Sequence, residues 1–228
     1  MRIILVRHGH PDYVNDCLTA LGRRHAAAAA RRLRDEGIQK IFSSTCGRAM
    51  ETAQHTADLL GLEVTGMDGF RELDWGSADG QPIELDGHPW DTADLMVARG
   101  ESLLDPQWAE KPPFNRNSVL TSVERVRRTA DAWLESLGYR REGLYYRVLK
   151  PACQTVALFG HGGETAALLS HLFNVPFPFF CSAMGPYYTG IIVLTLPDAA
   201  EGLVPVRMDL MNDVKHIQGL TVENVFDH

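Results

Sequence analysis

The sequence predicts an α/β fold, a three-layer α/β/α sandwich with a mostly parallel central sheet and an insertion that caps the functional end. Three observations carry that expectation. Short, continuously apolar runs at residues 3–6 and 155–159 have the length and character of strands buried on both faces. Helical segments separate such runs, so strand and helix alternate over residues 1–65. From residue 66 to 117 the pattern gives way to a stretch rich in Gly, Pro, Asp and Trp, as expected of a lid or binding excursion.

The elements follow in order. After the first strand, Gly9, Pro11, Asp12, Asn15 and Asp16 mark a turn, and Thr19 is the expected cap of a helix over residues 20–36, closed by Gly37. A second strand is predicted at 38–44, a helix at 47–60 ending at Gly61, and a third strand at 62–65. The middle stretch holds one short helix, at about 92–98. Regular pattern resumes with an amphipathic helix over 118–137, with Val119, Val123, Val126, Ala130, Trp133 and Leu137 on one side. Residues 155–159 form a strand, 164–173 a helix, and the runs 189–196 and 204–210 a pair of strands. The alanine run at 26–30 is strong helix former and the sequence contains no internal repeat.

Bulk properties bound the function. The 228 residues suit one large domain, and a content of 45% hydrophobic and 22% charged residues excludes wholesale disorder. A net charge of −7 sets the chain against nucleic acid and anionic lipid, so an anionic ligand must be drawn in by local Arg or Lys. Arg23, Arg24, Arg31, Arg32 and Arg34 cluster on the first helix, but alanines interleave them and Asp35 and Glu36 follow, which reads as a solvated face. A nucleic-acid partner is therefore not expected, nor is a membrane partner, since the N-terminal apolar run is too short for a signal core or a span. Cys17, Cys46, Cys153 and Cys181 are widely spaced, against a zinc knuckle or disulfide framework, and a reducing, cytoplasmic location is expected.

Open parallel sheets bind ligands outside the carboxyl ends of their strands. Three polar sets fall at such ends: Arg7-His8-Gly9, Ser43-Ser44 with Arg48 nearby, and Gly160-His161-Gly162-Gly163. Two histidines and two arginines sharing one crevice suit phosphoryl transfer. A neutral imidazole attacks phosphorus, and guanidiniums grip the equatorial oxygens bidentately. The same positive charge disfavours imidazolium and keeps His8 nucleophilic. Gly9 is expected to let the backbone pass close to phosphate, and the helix after His161 to aim free N–H groups, that of Gly162 among them, at an anion.

Residues Leu5-Val6-Arg7-His8-Gly9 closely resemble the signature of the histidine phosphatase superfamily, also called phosphoglycerate mutase-like. Leu18-Thr19-Ala20-Leu21-Gly22, the segment from Ser43 to Ala53 around Arg48, Arg71 to Gly76, Phe159 to Gly163 and Met211 to Ile217 are similar to its further motifs, in order along almost the whole chain. The resemblance implies one domain of this kind spanning 1–228, with the cap-like insertion at about 66–117. It implies that His8 is phosphorylated, that Arg7, Arg48 and His161 hold the phosphoryl group with Gly162, and that Glu72 donates a proton to the leaving oxygen, with Asp74 the fallback. His10, Thr45 and His25 depart from the common pattern, and the first segment lacks the Ser, Trp and Asn pattern of glycolytic phosphoglycerate mutases, which favours a phosphatase.

Alternatives remain at this point. His8-Gly9-His10-Pro11-Asp12 fits the start of an H-x-H-x-D-H zinc motif, although Tyr13 replaces its last His. A non-catalytic member binding a phosphorylated ligand, and a mutase returning the phosphoryl group to a second hydroxyl, also fit the residues. No dinucleotide fingerprint, Walker loop or EF-hand occurs, so neither an organic cofactor nor a metal is expected, and the partner is a small phosphorylated metabolite. His10, Asn15, His25, Trp75 and Tyr188 are the candidate pocket residues. Trp75, Trp90 and Trp108 are candidates to line a site for a ring-bearing leaving group or, more simply, to pack the insertion, and Tyr187 joins the specificity region. Residues 176–180 (Pro-Phe-Pro-Phe-Phe) suggest a buried connection, a cover for the sheet edge, or the contact of a homodimer.

Overall fold

The computed structural model describes residues 1–150, 153–185 and 187–220. In chain order its strands and helices are β1 (Arg2–Arg7), β2 (Pro11–Asp12), β3 (Cys17–Leu18), α1 (Ala20–Leu33), β4 (Ile38–Ser44), α2 (Gly47–Leu60), β5 (Val64–Met67) and α3 (Pro89–Ala98). There follow α4 (Val119–Ser136), β6 (Tyr139–Glu142), β7 (Tyr145–Val148), β8 (Thr155–Gly160), α5 (Gly162–Phe173), α6 (Phe177–Ala183), β9 (Ile191–Thr195), β10 (Leu203–Val204) and β11 (Arg207–Asp213). The central sheet runs β11-β9-β1-β8-β4-β5. Its pairs β1–β8, β8–β4 and β4–β5 are parallel, whereas β9 and β11 join antiparallel at one edge.

The layers follow from the pleat of β1. Alternate side chains point to opposite faces, and all four apolar residues are buried. Ile4 and Val6 join Leu33, Ala53 and Ala57 on the side of α1 and α2. Ile3 and Leu5 face the other way, into a cluster with Val123, Val126, Ala130 and Leu134 of α4 and Ala166 and Leu169 of α5. Complete burial of such a side chain stabilises the fold by about 1.5–3 kcal/mol. Every residue of the apolar stripe expected on α4 is buried, Leu137 just beyond its end included.

The boundaries differ from expectation in instructive ways. The Thr19 hydroxyl accepts the N–H of Gly22, as an N-cap should, but α1 stops at Leu33, and Gly37 takes its left-handed turn (φ 70°) on the way into β4. Leu62 still belongs to the turn that closes α2, since its N–H reaches the Ala57 carbonyl, so β5 starts two residues later than expected. Helix α5 begins at Gly162 directly after His161, not at Glu164. The hairpin β6–β7 turns at Gly143 (φ 60°), and its first strand is hidden in the sequence behind Arg140, Arg141 and Glu142. Residues 177–180 form a largely buried connection, as the simplest of the expected readings has it. They open α6, with Pro178 in the first turn where its missing N–H is harmless, and Phe177 and Phe180 are buried.

A buried side chain helps to pin the insertion back. Asn117, fully buried, accepts the N–H groups of Gly76 (3.2 Å) and Val119 (3.0 Å) and donates to the Gly87 carbonyl (2.7 Å). It thereby ties two inner points of the excursion, Gly76 and Gly87, to the first turn of α4. Gly87 turns there with φ 72°, and a Cβ would press on the Asn117 amide at 2.8 Å. Replacing Asn117 by Ala should cost about 2–4 kcal/mol of stability, because three bonds go and buried backbone groups lose their partner; the midpoint of urea unfolding measures it.

Candidate active site

Register builds the site. Arg7 faces Gly160 across β1 and β8, and Ser43 faces Phe159 across β4 and β8. The three strands therefore end at one level and release His8, His161 and Ser44 side by side.

His8 is buried and held through its backbone, donating to the Gly160 carbonyl (3.0 Å) and accepting from Thr189 (3.2 Å). Its Nδ1 lies 2.7 Å from the Gly9 carbonyl, which only accepts. In the neutral ring the proton therefore sits on Nδ1, and the lone pair on Nε2. Burial is the main cause holding this imidazole well below the usual histidine range, and Arg7 and Arg48 add to it against the opposing pull of the Gly9 bond. The His161 ring stands 5.3 Å from that of His8 and places Nε2 2.7 Å from the Ser44 hydroxyl, while its Nδ1 is buried without a protein partner. Burial, then His8 and the two arginines, keep His161 neutral as well.

Each guanidinium is positioned and has donors to spare. Arg7 stacks on the Tyr188 ring at 4.5 Å, and its Nε is buried and unpartnered. Arg48 donates to Asp16 (2.5 Å), lies 5.4 Å from the centre of the Tyr13 ring and likewise has a buried, unpartnered Nε. Glu72 arrives from the insertion. Its Oε1 accepts the N–H groups of Leu73 and Glu164, both at 3.0 Å, and so rests on the first turn of α5. Beneath it, Glu164 is 1% exposed, with Oε2 accepting from the His161 N–H (3.1 Å) and the Thr165 hydroxyl (3.2 Å). Gly160 and Gly163 make this possible: a Cβ on the first would collide with the Glu164 carboxyl, and on the second would come within 2.8 Å of Glu72 Oε1.

Beside these groups opens a cavity of about 740 Å³, and buried His8 and His161 are not among its lining residues. Arg7, Arg48 and Gly162 form one end, Tyr13 and Asp16 one wall, and Arg71, Glu72, Leu73, Asp74, Trp75, His88 and Trp90 the rest. The insertion thus overhangs the strand ends. Among the described residues no group of three or more His, Cys, Asp or Glu has the geometry to hold a metal ion, and no helix is long and apolar enough to cross a membrane.

The model of the histidine phosphatase superfamily (branch 1) matches residues 3–206. The chain belongs to that family. It is 29% identical over 186 residues to a probable phosphoglycerate mutase, GpmB, of Yersinia enterocolitica, covering 77% of this chain and 76% of that protein. Among solved structures it resembles a mycobacterial glucosyl-3-phosphoglycerate phosphatase in complex with inorganic phosphate (26% identity, TM-score 0.63, 94% of this chain and 98% of the other). A phosphoserine phosphatase of Entamoeba histolytica in complex with 3-phosphoglyceric acid shares the fold at 18% identity (TM-score 0.60, 95% and 98%).

Of the residues singled out in the sequence, His8, His161, Arg7, Arg48, Gly162 and Glu72 come together at these strand ends, and Arg7, Arg48, Gly162, Glu72, Asp74 and Trp75 line the cavity. The other pocket candidates lie elsewhere. Asn15 turns outward and binds Asp12 (2.8 Å). His10 bonds to Thr19 (2.9 Å), and buried His25, its pKa lowered to about 4 chiefly by burial, stacks on the far side of the Tyr188 cluster at 6.3 Å. Tyr188 backs His8 and Arg7 instead of facing the cavity. Trp108 packs on Phe114 and Phe177. Gly9 also has a different reason from the expected one, since a Cβ there would strike the Gly22 carbonyl of α1 at 2.5 Å. Sequence reading missed Asp16, Tyr13, Arg71 and the carboxyl of Glu164. Only Gly47 hinted at Asp16, because any Cβ there would collide with the Asp16 carbonyl.

Glu164 makes stability depend on pH. Burial first, and the neighbouring Glu72 second, raise its pKa from 4.5 to about 8, against the His161 N–H that favours the anion. Between those values the folded chain holds a proton that the unfolded chain has released, so this group's contribution falls as pH rises through the window. Glu164→Gln stays neutral throughout. Its stability relative to wild type should therefore increase from roughly pH 5 to roughly pH 8, measured by denaturant unfolding at each pH.

Proposed function

We propose that the chain hydrolyses small phosphate monoesters through a phosphohistidine on Nε2 of His8. The single observation supporting this reading most directly is the His8 ring itself. It is buried and neutral, its Nδ1 proton is committed to Gly9, and it stands beside Arg7, Arg48 and His161. Its remaining lone pair attacks phosphorus while the ester oxygen leaves on the opposite side. Arg7, Arg48, His161 and the N–H groups at the start of α5 take the equatorial oxygens. Glu72 gives its proton to the leaving oxygen as the alcohol departs. As a carboxylate it then removes a proton from water, which attacks the phosphohistidine and releases phosphate and the free imidazole. Glu72 is preferred over Asp74 because two backbone N–H groups fix Oε1, whereas Asp74 is exposed and anchored only through its own N–H to Ser122 (3.1 Å).

The likeness to a probable phosphoglycerate mutase supports a second reading, in which the phosphoryl group returns to another hydroxyl. Both readings begin with the same intermediate. Incubation with a phosphate ester should leave acid-labile phosphate on the protein, and release of inorganic phosphate, in place of an isomeric ester, separates hydrolysis from mutase chemistry.

His8→Ala should abolish labelling and lower kcat/KM by roughly three orders of magnitude or more. Unchanged turnover in that variant would sink the proposal. Glu72→Gln should slow alkyl phosphates by about a hundredfold, and 4-nitrophenyl phosphate far less, since its leaving group needs no proton; steady-state rates on the two substrates measure the difference.

A further inference from the structure

The outer half of the cavity has a chemistry of its own. Trp75, a residue of the insertion, is 41% exposed, and it lines the cavity. The His88 ring meets it edge to face at 5.1 Å and lies tilted by 31° against Trp90 at 5.7 Å. The three rings form one continuous corner, and Trp75 and Trp90 belong to the cavity wall with His88 between them. Tyr13, 58% exposed, stands on the other side against Arg48. Orthophosphate fills only a small part of about 740 Å³, so the remainder receives the leaving group.

Between the aromatic walls the polar groups are few and mixed in sign. Asp74 is exposed and among the described residues its carboxylate enters no ion pair, while the Arg71 guanidinium reaches Thr45 at 3.5 Å. A slender aliphatic chain would cover only part of these ring faces. A ring covers them. An exposed indole face beside open acceptors and donors suits a flat or six-membered ring, with C–H groups or π faces against Trp75 and polar substituents toward Asp74 and Arg71.

We propose that the substrates of this site are ring-bearing phosphate monoesters, whose ring is held by the Trp75–His88–Trp90 corner while the phosphoryl group lies between Arg7 and Arg48. The proposal rests on the phosphatase reading and refines it. Aryl and sugar rings share the recognised chemistry, and the two are separated by experiment. The insertion then acts as the specificity element, placed over strand ends that are indifferent to what the phosphate carries.

The test compares pairs matched in leaving-group basicity: benzyl phosphate with butyl phosphate, and glucose 6-phosphate with glycerol 3-phosphate. The wild-type enzyme should favour the cyclic member of at least one pair by about three- to tenfold in kcat/KM, the range expected of one good ring contact. The pair that shows the preference identifies the ring as aryl or sugar. Trp75→Ala and Trp90→Ala should each erase that ratio, mainly through a rise in KM for the cyclic member, and Trp75→Phe should restore part of it. Equal rates for cyclic and acyclic members of both pairs would overturn the proposal, as would tryptophan variants that slow all four substrates alike. His8→Ala is assayed in parallel. If it turns over these esters as wild type does, the phosphatase reading fails; if it is inactive and the ratios are flat, only the ring assignment fails.

Discussion

Arg7 lies opposite Gly160 in the parallel pairing of β1 with β8, and almost every feature of the site depends on that register. The two strands end together, so His8 and His161 leave the sheet as neighbours although 153 positions separate them in the chain (161 − 8). Slipping either strand by one residue would exchange its buried faces, sending Ile3 and Leu5 toward α1 and α2 and tearing both apolar clusters. The site end therefore inherits its precision from the core. Crowding behind the strand ends has the same origin. Gly9, Gly22, Gly160 and Gly163 each stand where a Cβ would strike a neighbour that itself belongs to the site or its support.

The framework was legible because it follows from short-range rules. Buried strands show as apolar runs, α2 and its Gly61 cap match their expected limits, and the strand ends show which polar residues converge. Long-range pairing was less legible. Nothing in the charged run Arg140-Arg141-Glu142 advertises a strand, since β6 is held by its partner β7 and by packing of Tyr139 and Tyr146, not by its own propensity. The pocket residues failed for a related reason. His10, His25 and Tyr188 are close to His8, but proximity to a site is not the same as facing it. They fill the space behind the ring, where an aromatic cluster is as useful for packing as for binding. Much of the cavity wall comes from the insertion, whose path no periodicity describes, and the rest from the turn that carries Tyr13 and Asp16.

Charge in the site is governed more by burial than by pairing. Guanidiniums were expected to keep His8 neutral; the structure ranks dehydration of the ring ahead of them, for His161 as well as for His8. The order matters. A ring kept neutral only by neighbouring cations would be protonated once a dianionic ester neutralised those cations. Enclosure goes on opposing protonation when the anion arrives, whereas the cations' share is offset.

Asp16 applies the complementary constraint. Burial pushes its carboxyl upward, but the N–H of Gly47 at 2.7 Å and the Arg48 guanidinium prevail, so it is ionised and bonded to both. An arginine left free would sample many rotamers, and ordering it would have to be met from binding energy. Held by Asp16 at Nη1 and stacked against Tyr13, Arg48 is already oriented, with Nε unspent. The carboxylate reduces the net positive charge offered to an anion, yet it lowers the entropy lost on binding one. The opposing requirements of attraction and order are thus balanced on a single side chain, and the balance is set by the same turn that brings Tyr13 to the cavity wall.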